Sequence, residues 1–363
     1  MVAASRHDAI LRELELRGSL TSADFAQRLG VTGMTLRRDL VELERRGLLT
    51  RVHGGALSLA VADEQAHSQG DRDGHGRPRR PVATIGMIVP TASYYFPEVI
   101  RGASQAAREL NCRLIVGASN YSAEEELRQA QRLLDSGVDA LMVTPHASLT
   151  ESSALRELLD AATVPIVLVE RSVDEKFAGS LEWVRSDHAL GAEMAVDHLI
   201  EQGHRRIALA ARPAATVPSL HVGFERAMAA LGTEGHVLRR DLSPPRIGDS
   251  VTIEELDQLL DDCVAQEVTA AIILGDADSM AFTERVLERG LRIPDDFAVI
   301  AYDDEISSLA AVPLTAVAPP KRDLGQAALQ LCFDRVRKQG STRAIMRMIL
   351  LPTLVVRDST VRA

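Results

Sequence analysis

Hydrophobic residues recur at helical spacing near the amino end of the chain. Leu36, Leu40 and Leu43 fall on one stripe of a helix with about 100° per residue. Thr32 precedes this stripe and has a hydroxyl suited to capping a helix start, and Gly47 follows it with the freedom to form a left-handed stop. The pattern predicts a helix that buries its leucines and begins after Thr32.

The opposite face of this predicted helix carries Met34 and Arg38, with Thr35 and Arg37 on its shoulders. Arginine can bond both acceptors of a guanine edge, and threonine and methionine can contact thymine methyls or phosphates. This composition favours a helix that lies in the major groove of DNA. The alternative is an ordinary solvent-exposed face, which is the usual environment of an Arg-Arg pair.

Short elements are also predicted on both sides of this helix. Helices are predicted over residues 6–17 and from Thr21 onward, and residues 48–57 predict a small hairpin with a Gly-Gly turn. Helix, short helix, turn and helix is the helix-turn-helix arrangement. The hairpin would form a wing that places Arg51 and His53 beside the phosphates.

From Val82 onward, short apolar runs alternate with amphipathic segments such as 98–110 and 190–202, which is typical of a parallel α/β sheet. About 280 residues exceed one comfortable core, so we expect two α/β lobes. Strands are predicted at Thr84–Val89, Arg113–Gly117, Ala140–Thr144, Pro165–Val169, Arg206–Ala210, Ala270–Leu274 and Phe297–Tyr302.

The segment Ser58–Pro81 lacks apolar periodicity and is rich in Gly, Asp and Arg, which predicts a flexible linker. The expected organisation is a winged helix-turn-helix domain over 1–57, a linker over 58–82 and an effector-binding domain over 83–363. Within the last domain we expect one lobe at about 83–186 and 318–343, and the other at about 187–317 and 344–363.

Charge is unevenly distributed along the 363 residues, whose net charge is −10. Residues 1–57 carry nine Lys/Arg and seven Asp/Glu, whereas residues 83–363 carry 28 and 40. The acidic part repels DNA, so DNA contact is expected from the amino-terminal domain alone. The chain has no secretory signal pattern, no apolar run of about 20 residues, and three widely spaced cysteines, which together predict a cytoplasmic protein with reduced thiols.

Polar and aromatic residues follow the predicted strands, where open parallel sheets bind ligands. Tyr95 and Phe96 belong to an aromatic cluster suited to stacking on a sugar or base, although such a cluster can equally plug the core at a lobe edge. Mixed donors and acceptors suit a polyhydroxylated ligand, although any one of them alone is more often a cap or a surface ion pair. These strand-end residues are Asn120, Thr144, His146, Glu170, Arg171, Asp187 and Asp278.

The string GLLTRVHGGA after TLRRDLVELE resembles the signature of the DeoR family of bacterial repressors, over about the first 57 residues. The resemblance implies DNA contacts by Thr32, Met34, Thr35, Arg37, Arg38, Arg51 and His53.

Nearly all of residues 83–363 resemble the LacI/GalR effector domain, which is itself similar to periplasmic sugar-binding proteins. The matching strings are PIVLVER, VRSDHALGAEMAVDHLIEQGHRRIAL, GLRIPDDFAVIAYDD, VPLTAVAPP and LPTLVVRDST. The resemblance implies two lobes joined by crossover strands, a ligand between them and dimerisation through this body. It places the pocket at Tyr95, Phe96, Thr144, Glu170, Arg171, Thr216 and Asp278.

The chain departs from both families. The arginine that usually clamps the LacI-type ligand is replaced by Leu220, which leaves Arg212 or His221 as substitutes, or an effector that is not a typical sugar. The LacI-type headpiece and hinge helix are absent, and DeoR proteins usually carry a domain that resembles sugar-phosphate isomerases. The chain therefore resembles one family's DNA-binding domain joined to the other's effector domain.

No nucleotide-binding loop, zinc-protease helix or nucleophile elbow is present, so we expect no catalysis, no cofactor and no metal. The sequence predicts a transcriptional regulator, and specifically a repressor of carbohydrate-metabolism genes. Its expected partners are a double-stranded operator with an inverted repeat, a carbohydrate effector and a second copy of the chain in a homodimer or larger oligomer, with no membrane partner. Alternatives are a solute-binding protein of a transporter and a sugar-processing enzyme.

Overall fold

The computed structural model describes most of the chain beyond residue 80 and selected parts before it. The described residues are 6, 10, 19–21, 25, 31–45, 50–52, 55–57, 81–146, 149, 153–173, 179–230, 237–243, 253–338 and 344–361. The chain divides into two compact units, Met1–Arg80 and Pro81–Ala363. Of the linker predicted at 58–82, residues 58–80 lie outside the described part. Among the described helices, none has the length and apolar character needed to span a bilayer.

The first unit contains the predicted amphipathic helix, α1 (Gly33–Arg45). Leu36, Leu40 and Leu43 are each no more than 2% exposed, which confirms the predicted buried stripe. Asp39 on the same helix is also buried, and it accepts two hydrogen bonds from Arg6, at 2.8 and 3.0 Å. This paired geometry satisfies a charge that would otherwise be costly to bury.

A small antiparallel sheet accompanies α1. Its strands are β1 (Ser19–Thr21), β2 (Thr50–Val52) and β3 (Gly55–Leu57), and β3 lies between the other two. The β2–β3 hairpin confirms the predicted wing. Strand β1 was not predicted; its last residue, Thr21, was expected to open the second helix and pairs with Gly55, while Phe25 is helical as predicted. Strand β1 therefore pairs with β3 on the side opposite β2.

The second unit contains two sheets. In the described residues the first has six strands in the order β14-β8-β7-β6-β4-β5, all parallel. Its strands are β4 (Ala83–Val89), β5 (Cys112–Ala118), β6 (Ala140–Val143), β7 (Ile166–Val169), β8 (Glu182–Ser186) and β14 (Arg347–Leu350). The helices that flank it are α2 (Phe96–Glu109), α3 (Ala123–Asp135), α4 (Ser153–Ala161) and α9 (Lys321–Arg337).

The second sheet, again counted over the described residues, has six strands in the order β10-β9-β11-β12-β13-β15, and β15 is antiparallel to its neighbour. Its strands are β9 (Ile207–Ala211), β10 (Val237–Asp241), β11 (Ala270–Leu274), β12 (Ala298–Tyr302), β13 (Thr315–Ala318) and β15 (Thr353–Val355). Its helices are α5 (His188–Glu201), α6 (Val217–Ala230), α7 (Ile253–Ala265) and α8 (Asp276–Glu288).

Each sheet is covered on both faces, which gives two three-layer lobes. Helices α2 and α9 pack on one face of the first sheet, and α3 and α4 pack on the other. In the second lobe, α7 and α8 cover one face and α5 and α6 the other. Close helix packing depends on glycine: a Cβ at Gly102 of α2 would lie 1.9 Å from the carbonyl oxygen of Arg322 in α9. The predicted two-lobed α/β/α class is confirmed.

The described chain passes between the two sheets three times. It crosses from β8 into α5, from β13 into α9, and from β14 into β15. The last crossing corrects one predicted boundary: residues 344–363 were assigned to the second lobe, but Arg347–Leu350 pairs with Trp183–Ser186 in the first sheet. The reason is that β8 was itself not predicted, since it carries charged residues within a strand of five.

Candidate DNA-contacting helix and interlobe cleft

Helix α1 presents exposed side chains, polar ones and a methionine, on a backing of buried leucines. Met34 is 77% exposed, and Thr32 and Arg38 are also exposed. The Thr32 hydroxyl accepts the backbone N–H of Thr35 at 3.2 Å and lies 2.9 Å from the Thr35 hydroxyl. This contact confirms the predicted cap, because it satisfies one of the unpaired amides at the start of the helix. The four side chains therefore occupy one fixed, accessible end of α1.

The remaining candidates for DNA contact are only partly described. Arg37 lies on α1 and Arg51 on β2. Their side chains, and the whole of His53, lie outside the described residues.

In the second unit, Glu170 is the centre of a buried polar network. It directly follows β7 and has a left-handed backbone with φ of 57°. Ser186 donates to its carboxylate through the backbone N–H at 2.9 Å and through the hydroxyl at 2.6 Å, and the Tyr95 hydroxyl donates to the same group. Burial alone would raise the pKa of Glu170, but His188 and the Ser186 donors outweigh it and lower the pKa to about 2. Glu170 is therefore a fixed negative charge.

His188 connects this network to the second lobe. Its Nε2 lies 3.6 Å from the Glu170 carboxylate, and its Nδ1 lies 3.1 Å from the hydroxyl of Tyr302 at the end of β12. His188 is also the first residue of α5, directly after the crossover from β8. The network thus joins both sheets at a point where the chain passes between them.

A cavity of about 250 Å³ lies between the first lobe and the start of α6. Three predicted pocket residues line it, namely Glu170, Arg171 and Thr216. Arg185, His188 and Ser219 add further polar atoms, and Leu149 and Leu168 supply apolar surface.

The cavity's two arginines bond only carbonyl oxygens within the described residues. Arg171 donates from Nε to Pro145 O at 3.1 Å and from Nη1 to Glu170 O at 2.8 Å. Arg185 donates from Nη1 to Ser186 O at 3.2 Å. Burial lowers the pKa of Arg171, opposed chiefly by the charge of Glu170, and the guanidinium still remains charged because arginine is so strongly basic.

Several predicted pocket residues are instead bound to other parts of the protein. Asp278 receives two hydrogen bonds from Arg212, at 2.8 and 2.9 Å. The imidazole of His146 lies 3.0 Å from the Glu126 carboxylate. Asp187 caps α5 by accepting the N–H of Leu190 at 3.1 Å. None of these three side chains is among those that line the cavity described above.

The other predicted residues have mixed environments. Phe96 is buried in the core of the first lobe, with its ring 5.3 Å from the ring of Tyr95. Thr144 is fully buried, and its hydroxyl has no hydrogen-bond partner among the described residues. Asn120 is exposed in a left-handed turn with φ of 51°. Leu220, at the position of the usual clamp, is buried in the core of the second lobe.

The structure adds contacts between the lobes that the sequence did not indicate. Tyr94, in the loop after β4, accepts the backbone N–H of Asp276 at the start of α8, at 3.0 Å. The Asp276 carboxylate accepts backbone N–H groups from Glu305 and Ile306, at 2.6 Å each, and so fixes the loop after β12. Arg185, Ser186 and His188 were also missed, although they flank Asp187, because β8 was not predicted.

Metal binding is not supported by the described side chains. No group of three or more His, Cys, Asp or Glu residues within that part of the chain could hold an ion.

Two family models match the chain, one in each unit. The DeoR-like helix-turn-helix domain matches residues 6–61, and the periplasmic binding protein-like domain matches residues 196–360. The chain is 26% identical to an arabinose metabolism transcriptional repressor from Geobacillus stearothermophilus, over 94% of this chain and 90% of the relative. It is 27% identical to the ribose operon repressor of Escherichia coli, over 76% and 82%.

Among solved structures, a complex of the transcriptional regulator CelR with cellobiose has a TM-score of 0.65 and 24% identity, and the match covers 92% of this chain and 98% of that one. These similarities favour a regulator over the alternative of a transporter's solute-binding protein. The chain is thus a bacterial transcriptional regulator in which a DeoR-like helix-turn-helix domain is joined to a periplasmic binding protein-like domain.

Proposed function

We propose that the chain is a repressor whose binding to its operator is set by a small carbohydrate held between the two lobes. The observation that carries this proposal is the cavity beside the crossovers, in a chain that also exposes a capped helix suited to DNA. The names of two relatives, the arabinose and ribose repressors, support a sugar as the effector. Because both relatives are regulators, we propose that the protein has no enzymatic activity and that it acts in the cytoplasm, where it binds DNA.

The cavity's lining suits a polyhydroxylated molecule. Sugar hydroxyls need both donors and acceptors, and the cavity offers Arg171 and Arg185 as donors with Thr216 and Ser219 as hydroxyl groups of both kinds. Leu149 and Leu168 give the apolar surface that sugar C–H faces require. At about 250 Å³ the space fits one small molecule.

The DNA contact is assigned to the exposed end of α1. We propose that Thr32, Met34, Thr35 and Arg38, together with Arg37, Arg51 and His53, contact the operator. The protein acts as a homodimer, whose two helices enter major grooves about 34 Å apart, so the operator is an inverted repeat.

We propose that ligand binding and DNA binding are coupled through the angle between the lobes. A ligand shifts the equilibrium between two states only by its difference in affinity for them, and typical coupling is about 1–3 kcal/mol. The network of Glu170, His188 and Tyr302 lies at a crossover between the sheets. A change in the angle between the lobes would alter the contacts of this network.

The proposal is tested by selecting duplexes from a random pool with the full-length protein and then footprinting the selected sites. We expect a protected inverted repeat, and we expect one member of a panel of sugars and sugar derivatives to change its occupancy. Failure to select any sequence at low ionic strength would contradict the DNA assignment. Selected duplexes that no panel member affects would contradict the assignment of a carbohydrate effector.

A further inference from the structure

Two positive charges line the cavity without a negative partner. Arg171 and Arg185 both contribute to its wall, and neither forms an ion pair with a carboxylate of the described residues. Each guanidinium has five N–H donors. Arg171 uses two of them on carbonyl oxygens and Arg185 uses one, which leaves most donors of both groups available to a ligand.

Arg185 is also incompletely satisfied where it is buried. Its Nε is inaccessible to solvent and has no hydrogen-bond partner within the described part of the protein. Buried donors are normally paired. A ligand in the cavity cannot reach the inaccessible Nε, but it can reach Nη2, which has no hydrogen-bond partner among the described residues and is not closed off from solvent.

Several other partly buried cations of the same unit do have carboxylate partners. Arg212 binds Asp278 and Glu255, Arg335 binds Glu182, and Arg357 binds Asp304. Arg347 also has no carboxylate partner among the described residues, but it does not line the cavity and its guanidinium lies over the ring of Trp183, 4.3 Å from the ring centre.

Among the described residues that line the cavity, one carries a carboxylate, and this group already has partners. Glu170 accepts from Ser186 and Tyr95 and lies against His188. It bonds Arg171 only through its backbone carbonyl, and Arg185 donates to the carbonyl of Ser186 instead, so the Glu170 side chain does not neutralise either arginine by direct contact. Among the described lining side chains, Arg171 and Arg185 carry two positive charges against the single negative charge of Glu170.

We propose that the effector carries an anionic group, a carboxylate or a phosphate, that binds to Arg171 and Arg185. The effector would then be a sugar acid or a sugar phosphate, and not a neutral sugar. Guanidinium groups match the paired oxygens of both anions through two parallel hydrogen bonds. This inference rests on the proposed function and narrows its ligand class.

The test compares matched compounds on the full-length protein by calorimetric titration and thermal shift. The compounds are ribose, arabinose and glucose, each with its aldonic acid and its terminal phosphate ester, and inorganic phosphate serves as a bare ion. We expect one anionic derivative to bind at least about tenfold more tightly than its neutral parent and than inorganic phosphate. The aldonic acid and phosphate arms distinguish the two sources of the anion.

Two variants of Arg185 test whether its guanidinium binds the anionic group. R185Q is expected to weaken binding of the anionic compound by at least about tenfold more than it weakens binding of the neutral parent. R185K is expected to bind the anionic compound with an affinity between those of R185Q and the unmodified protein, because it keeps the charge but loses the planar fork. R128Q, on the exposed surface of α3, is the matched control and is expected to change nothing.

The inference is overturned if a neutral sugar binds as tightly as its acid and phosphate, a result that leaves the proposed regulator intact. It is also overturned if a folded R185Q protein retains the affinity for the anion. If none of the compounds binds, both the inference and the proposed carbohydrate effector are contradicted. The comparison of neutral and anionic compounds on the unmodified protein decides the matter even if a variant does not fold.

Discussion

Asp303 is an acid whose ionisation the fold opposes. Burial raises its pKa to about 6, and the charge of Asp276 adds to this effect against Lys321, His188 and Tyr94. An unfolded aspartate has a pKa of about 3.9, so the folded state holds this proton more tightly. The stability that protonated Asp303 contributes is fully present below about pH 4 and is lost as the pH rises through about 6.

Asp303→Asn removes this titration. Relative to the variant, we expect the unmodified protein to lose roughly 1–3 kcal/mol of unfolding free energy between about pH 4 and pH 7, because one pKa unit corresponds to about 1.4 kcal/mol. Urea denaturation across this pH range measures the difference. Asp160→Asn, at an exposed carboxylate, is the control. Two parallel stability curves for Asp303→Asn and the unmodified protein would contradict the assignment.

Arg38 lies on α1, and its side chain is exposed. Arg38→Ala is expected to cost about 1–3 kcal/mol of discrimination between operator and altered sites, mostly at one base pair, because a side chain that bonds base edges carries sequence information. Competition binding with single-base variants of the selected duplex measures this loss. Arg128→Ala removes the same charge from α3 and is expected to keep full discrimination. Equal base preferences in the two variants would show that α1 meets DNA through another face.

At the scale of elements, the start of α1 depends on a single hydroxyl. Thr32 bonds the amide of Thr35 and the hydroxyl of the same residue. Loss of such a cap costs about 1 kcal/mol. The cap therefore orders the turn that carries Met34 and Thr35.

Thr32→Ala is expected to speed hydrogen exchange of the amides in the first turn of α1 by about fivefold, which corresponds to that loss. Exchange measured by mass spectrometry on the full-length protein provides the comparison, and Thr32→Ser restores the cap and serves as the control. Slow exchange retained in Thr32→Ala would mean that tertiary contacts, and not the hydroxyl, hold this turn.

Elements with a clear apolar pattern could be predicted from the sequence. Strands β4 and β11 are buried apolar runs, and the buried stripe of α1 follows the helical period. Strand β8, with the sequence EWVRS, and β10, with VLRRD, carry charges inside the strand. Edge strand β14 could be placed only once β8 was known. The missed strands explain the one wrong lobe boundary.

The candidate site was predictable in part for the same reason. Glu170 and Arg171 end a strand that was predicted, and Thr216 came from the family resemblance. Arg185 and His188 were missed because Arg185 lies in β8 and His188 lies two residues after it, and β8 was not predicted. The pairing of Asp278 with Arg212 joins residues 66 positions apart, and no local pattern specifies such a contact.

At the scale of the whole effector-binding unit, Tyr94 bonds one lobe to the other. Its hydroxyl accepts the Asp276 N–H at 3.0 Å, and Asp276 in turn fixes the loop after β12. This contact stabilises the arrangement of lobes in which the cavity is present. Its loss shifts the population towards other lobe angles.

Tyr94→Phe keeps the ring and removes the bond. We expect ligand affinity to fall about fivefold, as for the loss of one hydrogen bond of about 1 kcal/mol, together with a larger radius of gyration in solution scattering. Arg128→Ala, at an exposed side chain of α3, is the control. Identical affinity and scattering in the two variants would show that the Tyr94 bond does not hold the lobes.

The most direct measurement is the affinity of the full-length protein for its selected operator, by fluorescence anisotropy, as the tightest-binding compound of the panel is added. Ligand control through the lobes predicts that the Kd for DNA changes by about 5- to 150-fold at saturation, and that Arg171→Ala weakens the compound while leaving the unliganded Kd unchanged. A Kd for DNA that stays constant from zero to saturating compound would contradict control of α1 by the interlobe cavity.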